Sequence, residues 1–165
     1  KRLRAWIEER CWSEELGAYR GWAGEDSLDA GILRAVRMDY PEPERLGRTV
    51  DTIRERLAAA PGLVYRTTEH VGEEGAFVAC SFWVAEALAR LGRVDEACET
   101  MEQILPYASD LGLFSEEVDP AGGELLGNFP QGLSHLTLIN AAGAIQDAAC
   151  VRSAGASAKA DSARD

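Results

Sequence analysis

Residues Gly112 to His135 read GLFSEEVDPAGGELLGNFPQGLSH, a long connection rich in glycine, proline and acid that separates two helix-like patterns. Two neighbouring carboxylates, Glu116 and Glu117, lie near its start, with Asp119 and Pro120 just beyond. Adjacent carboxylates repel each other and lose solvation when buried, so the pair suits an open pocket lip better than a core. A plainer reading also fits: Ser115 can cap a short helical turn whose early acids favour its positive end. The run DPAGG from Asp119 to Gly123 has the chemistry of a tight turn, and that turn is expected to project Glu116 and Glu117 toward one side.

Outward from this stretch, the chain alternates apolar-periodic segments with polar connections. Apolar spacing of three and four residues predicts helices over 1–10, 26–38, 44–59, 76–91, 94–108 and 131–148. Asp26 or Ser27 can cap the second, Pro43 suits the start of the third, and Gly92 is placed to end the fourth before Asp95 opens the fifth. The pattern is an all-α fold with no strand-rich region. Its helices are paired by connections of unequal length, and the longer ones can gather on one side as a site on a rigid support.

The other long connection runs from Gly62 to Gly75. Tyr65 and Arg66 precede a polar turn carrying Glu69, His70, Glu73 and Glu74, and Phe77 then opens the next helix. The rigid guanidinium fork of Arg66 can bond two neighbouring sugar hydroxyls, and the ring of Phe77 offers a flat face for a pyranose. A solvated charge cluster and an ordinary core contact are the alternatives for these residues. Trp6, Trp12 and Trp22 read as core or edge packing, and Trp83 as wall packing on an amphipathic helix.

The segments LFSEEVDP and LGNFPQGLSHLTLINAA resemble the C-terminal signature of glycoside hydrolase family 15, the glucoamylase and trehalase-like enzymes. GLVYRTTEH with EGAFVACSFWVAEALARLGR (Gly62 to Arg93), and GWAGEDSLDAGIL (Gly21 to Leu33), agree with that family in order and spacing. The resemblance implies part of an (α/α)6 toroid of helical hairpins. Residues 1–147 then form the C-terminal half of a catalytic domain, and 148–165 a disordered tail too poor in apolar surface to order. It also implies hydrolysis of a terminal α-glucosidic bond with inversion, in which one protonated acid serves the leaving oxygen and a second carboxylate activates water.

On that resemblance Glu116 is the general base and Glu117 a neighbour that binds sugar or positions the loop. Arg66, Glu69, Glu74 and Phe77 are the further substrate contacts. The family's general acid lies upstream of the matched region, so the chain alone is expected to be inactive and to need the N-terminal half of the toroid as a partner. An oligosaccharide and trehalose remain equal candidates as the α-glucoside. The alternative from another class is a non-catalytic helical carbohydrate-binding or scaffold module, against which stands the lack of any repeat period.

Composition bounds the remaining options. The chain has 165 residues and 46% hydrophobic content, enough for one sizeable core. A net charge of -11 and a pI near 4.7 repel a nucleic-acid backbone or an anionic membrane surface, whereas a neutral sugar is indifferent to them. Cys11, Cys80, Cys98 and Cys150 are scattered without a Cys-x-x-Cys pair, which predicts buried reduced thiols; His70 and His135 lack ligand spacing, so neither metal nor cofactor is expected. No apolar run approaches the roughly 20 residues of a membrane span and no secretory signal is visible, so the default location is cytoplasmic. The chain begins inside an amphipathic pattern without an initiating Met, and we expect that the natural N-terminus lies further upstream.

Overall fold

The computed structural model describes residues 2–162. Helix α1 (Arg2–Arg10) leads into a small antiparallel hairpin of β1 (Trp12–Ser13) and β2 (Ala18–Tyr19). A 3-10 turn over Ala30–Leu33 then runs into the short α2 (Arg34–Arg37), followed by α3 (Pro43–Arg56). Strands β3 (Ala58–Ala60) and β4 (Leu63–Val64) form a second hairpin, and β5 (Ala76–Phe77) opens directly into α4 (Val78–Arg90). Helix α5 (Val94–Ile104) comes next. The strands β6 (Glu117–Val118) and β7 (Leu125–Leu126) then join β5 in a three-stranded antiparallel sheet, and α6 (Gly132–Ser162) completes the described chain.

Helix α4 is the centre of the molecule. Its sequence VACSFWVAEALAR buries all but its Trp83 and Arg90 positions, because alanines at 79, 85, 87 and 89 let α5 and α6 approach closely while Phe82, Val84 and Leu88 fill the space between. Glu86 is buried within this helix, and its charge is matched by Arg90 at 2.8 Å and Arg37 at 3.4 Å. Gly92, with φ of +81°, lets the chain reverse between α4 and α5 and forms a helical hairpin. Edge-to-face packing of Phe82 on Phe114, with ring centroids 5.2 Å apart, ties this core to the acidic segment.

The structure departs from expectation in several places. The helix predicted over 26–38 is confined to 30–37, because residues before it pair with another chain segment. Asp29 bridges Thr67, and the Leu28 carbonyl accepts from the Thr68 N–H at 3.1 Å. The Asp29 carboxylate then caps the turn by accepting from the Gly31 N–H at 2.7 Å. Residues 58–59 and 76–77, predicted as helix ends, lie in strands instead. The extension expected beyond Ile104 tightens into a 3-10 turn at Pro106. Helix α6 continues past Asp147 to Ser162, through a segment in which a tail was expected, and Val151 on it is 74% exposed.

The four cysteines are free. Cys80 is buried and burial pushes its thiol far above the ordinary range, but Cys150 is exposed, contrary to the expectation of buried thiols throughout. Trp12 is buried between Tyr19 and the guanidinium groups of Arg45 and Arg48, whereas Trp6 and Trp22 lie exposed. Among the described residues no helix is long and apolar enough to cross a membrane.

Candidate active site

Three connections meet on one side of α4. The segment around Leu28 and Asp29 is bonded to Thr67 and Thr68, that loop leads into β5, and β5 pairs with β6 from the acidic stretch. The sheet register sets Phe77 opposite Glu117 and Glu117 opposite Leu126. Directly opposed residues in antiparallel strands share a face, so these three side chains stand together. The Arg66 guanidinium lies 5.9 Å from the centroid of the Phe77 ring, within range of a cation–π contact.

Beside this sheet opens a cleft of about 600 Å³, lined among others by Tyr65, Glu74, Gly75, Glu117, Asp119 and Leu126. Glu74 is exposed, and its carboxylate lies 3.6 Å from Nε2 of His70, whose Nδ1 is 2.8 Å from the Thr67 hydroxyl. Glu69 stands exposed on the 3-10 turn Thr68–His70, where a hydrogen bond from Thr67 lowers its pKa. A separate apolar cavity of about 400 Å³ is lined by Ile7, Ile32, Ala35, Met38 and Leu46 with Arg20 and Arg34 on its wall. None of its lining side chains among the described residues is a carboxylate, so it lacks the pair of acids that glycoside hydrolysis commonly uses.

The acidic stretch is anchored residue by residue. The Phe114 carbonyl accepts from the Gln131 N–H at 2.9 Å, and the Phe114 N–H donates to Nε2 of His135 at 3.3 Å. Nδ1 of that ring faces the Gln131 carbonyl at 2.7 Å. A carbonyl only accepts, so a neutral imidazole with its proton on Nδ1 satisfies both contacts. The Ser134 hydroxyl donates to the Ser115 carbonyl at 2.8 Å, and the Ser115 hydroxyl donates to the Glu117 carbonyl at 2.6 Å. Ser115 therefore braces a strand rather than capping a helical turn.

Glu116 and Glu117 do not project toward one side. Successive residues of an extended chain point to opposite faces: Glu117 lines the cleft, while the Glu116 carboxylate accepts from the side-chain amide of Asn128 at 2.8 Å. The tight turn expected after them is present, with the Asp119 carboxylate accepting from the N–H groups of Ala121 and Gly122 at 3.1 and 2.9 Å. Gly75 is required beside the pair, because a Cβ there would meet the Glu117 Cβ at 2.9 Å. Asn128, Tyr65 and Gly75 were not singled out by the sequence as site residues. The adjacent Gly127 and Asn128 had a turn-forming signal that reads equally well as an ordinary hairpin end.

Burial and the neighbouring charge of Glu74 raise the Glu117 pKa, opposed by a bond from the Gly75 backbone and by His70, with Glu116 adding a smaller upward push. An acid that holds its proton more tightly folded than unfolded destabilises the fold on ionising. Stability is therefore expected to be fully present below the ordinary glutamate range and to fall as pH rises through the raised value. Glu117→Gln should unfold at a higher urea concentration than the parent near neutral pH, and the advantage should vanish in acid. An advantage that persists unchanged in acid would rule out this origin.

A sequence profile of glycosyl hydrolases family 15 matches residues 3–143. The chain is 41% identical over 133 residues to a trehalase of Mycobacterium tuberculosis (strain ATCC 25618 / H37Rv), covering 76% of this chain and 19% of that protein. It is 43% identical over 126 residues to a trehalase of Mycolicibacterium smegmatis (strain ATCC 700084 / mc(2)155), covering 72% and 19%. A trehalase of Thermoplasma volcanium (strain ATCC 51530 / DSM 4299 / JCM 9571 / NBRC 15438 / GSS1) is 33% identical over 147 residues, covering 86% and 24%. The chain thus spans about a fifth to a quarter of the length of these relatives. A solved structure of a wild-type glycosidase superposes with a TM-score of 0.73 at 18% identity, covering 88% of this chain and 42% of the other; that likeness concerns the fold.

Proposed function

The chain belongs to glycosyl hydrolases family 15, and from that membership we propose that it forms part of an inverting hydrolase of terminal α-glucosidic bonds, with trehalose as the first substrate to test. The observation that carries this reading is the β5–β6 pairing, which sets Phe77, with Arg66 beside its ring, opposite Glu117 of the polar cleft, and Glu116 one residue away, hydrogen-bonded and partly exposed. Trehalose is favoured over starch because the three relatives are trehalases.

In the proposed mechanism Glu116, ionised, takes a proton from water as the water attacks the anomeric carbon from the face opposite the leaving oxygen. A second carboxyl, roughly 6.5–9.5 Å away, protonates that oxygen, and we assign this acid to chain outside the present residues. Phe77 stacks on the sugar ring, Arg66 bonds a pair of its hydroxyls, and Glu117, Glu74 and Glu69 accept from others. Residues 1–147 serve as about half of a ring of helical hairpins, with 148–165 contributing nothing to the site, and the protein works in the cytoplasm without metal or cofactor.

The test compares this chain with an upstream-extended protein that completes the ring, each offered trehalose, maltose and soluble starch, with product anomers followed by proton NMR. The extended protein is expected to release β-glucose from trehalose, and the present chain alone to release none. Release of α-glucose as the only initial product would overturn inversion. An extended protein inert on all three substrates would replace hydrolysis with the carbohydrate-binding reading.

A further inference from the structure

We infer that Asn128 is a positioning residue for Glu116, fixing one carboxylate oxygen so that the other is presented to water. The side-chain amide of Asn128 donates to Oε2 of Glu116 at 2.8 Å, and its backbone N–H donates to the same oxygen at 3.2 Å. An ionised carboxylate can only accept, so the amide nitrogen rather than its oxygen must face it. Both donors converge on Oε2, and the other oxygen, Oε1, is assigned to take the proton from water.

The backbone keeps that geometry in place. The Glu116 N–H donates to the Asn128 carbonyl at 2.9 Å, while the Glu116 carbonyl accepts from the Val78 N–H at 3.1 Å. The carboxylate is therefore tied to the end of β7 and its main chain to the first turn of α4. Gly127 completes the clip: a Cβ at that position would lie 2.9 Å from Glu116 Oε2 and 3.0 Å from its Cβ, and the backbone there has φ of +70°. A side chain at 127 would meet strain and collision together, so the clip requires glycine followed by a residue whose side chain donates.

Two bonds to one oxygen hold the carboxylate in a single orientation, and such donors bond a charged acceptor more strongly than a neutral one. The role rests on the assignment of Glu116 as that base, and the experiment separates the two. In the upstream-extended protein, carbon-13 NMR follows the Glu116 carboxyl, identified by its loss in Glu116→Gln, through a pH titration of the parent, Asn128→Ala and Asn128→Asp. The same proteins give pH profiles of kcat on trehalose.

Both Asn128 variants are expected to move the carboxyl midpoint upward, the Asp variant further because it adds a like charge. The acidic limb of kcat should move with it at nearly constant KM. Unmoved carboxyl midpoints overturn the inference whatever the kinetics show, since a merely structural asparagine would lower thermal stability alone. If Glu116→Gln still hydrolyses, the assignment of the base fails while the titration continues to judge the bond. If Glu116→Gln is inactive and the limb stays fixed, the positioning role is overturned and the base stands.

Discussion

Glu116→Gln in the upstream-extended protein is expected to lower kcat on trehalose by roughly 10²- to 10⁴-fold, the usual contribution of a positioned general base. The substitution keeps shape and keeps an oxygen that can accept from both donors of Asn128, so the β5–β6–β7 sheet has no reason to rearrange. What it removes is the ability to take a proton. KM should therefore stay within about twofold, since a loss confined to the transition state lowers kcat and kcat/KM together. Steady-state kinetics decide it, with Glu117→Gln as the informative comparison.

That comparison matters because the two carboxylates face opposite sides of one strand. Glu117 shares the cleft with Glu74 and stands opposite Phe77, which suits it to bind sugar hydroxyls. Its loss should raise KM more than it lowers kcat. If Glu117→Gln abolishes turnover while Glu116→Gln leaves it nearly intact, the roles are exchanged and family alignment has named the wrong acid. The geometry of the cleft alone favours Glu117 as the substrate-facing group, and the sequence signature favours Glu116 as the base; only the paired variants weigh one against the other.

The helices that hold the site were legible where a local signal agreed with burial. Pro43 begins α3, Gly92 ends the α4 hairpin, and the apolar face of 76–91 becomes the buried centre of the fold. Residues 28 and 29 broke the pattern because their partners Thr68 and Thr67 lie about 40 positions further along the chain, which no local period records. Strands of two or three residues are equally silent, since alternation needs more residues than they contain. The divergence of Glu116 and Glu117 follows from extended backbone, and it was missed because the segment read as an irregular loop. The tail continued α6, consistent with its alternating alanines at 154, 156, 158 and 160, which are the best helix formers.

The expected cost of Phe114→Ala is about 3–5 kcal/mol of folding stability. The ring is 1% exposed, packs edge-on to Phe82 at 5.2 Å and faces His135 at 6.0 Å. Its removal leaves a cavity between α4 and α6 that neither helix can close without giving up other contacts. Urea unfolding at fixed pH should show the midpoint falling with an unchanged slope. Leu111→Ala, at a position 77% exposed, should stay within about 0.5 kcal/mol of the parent.

The second effect of Phe114→Ala distinguishes a peg from a filler. Phe114 lies two residues before Glu116, and its own backbone is held by Gln131 and His135 at the start of α6. A displaced ring lets that segment drift, and about 1 Å of misplacement can cost roughly 10²-fold in rate. In an upstream-extended protein stable enough to remain folded as the variant, kcat should therefore fall well beyond the loss of folded molecules. If activity per folded molecule is unchanged, Phe114 only fills the core, and the orientation of Glu116 is set by Asn128, Gly127 and the sheet register alone.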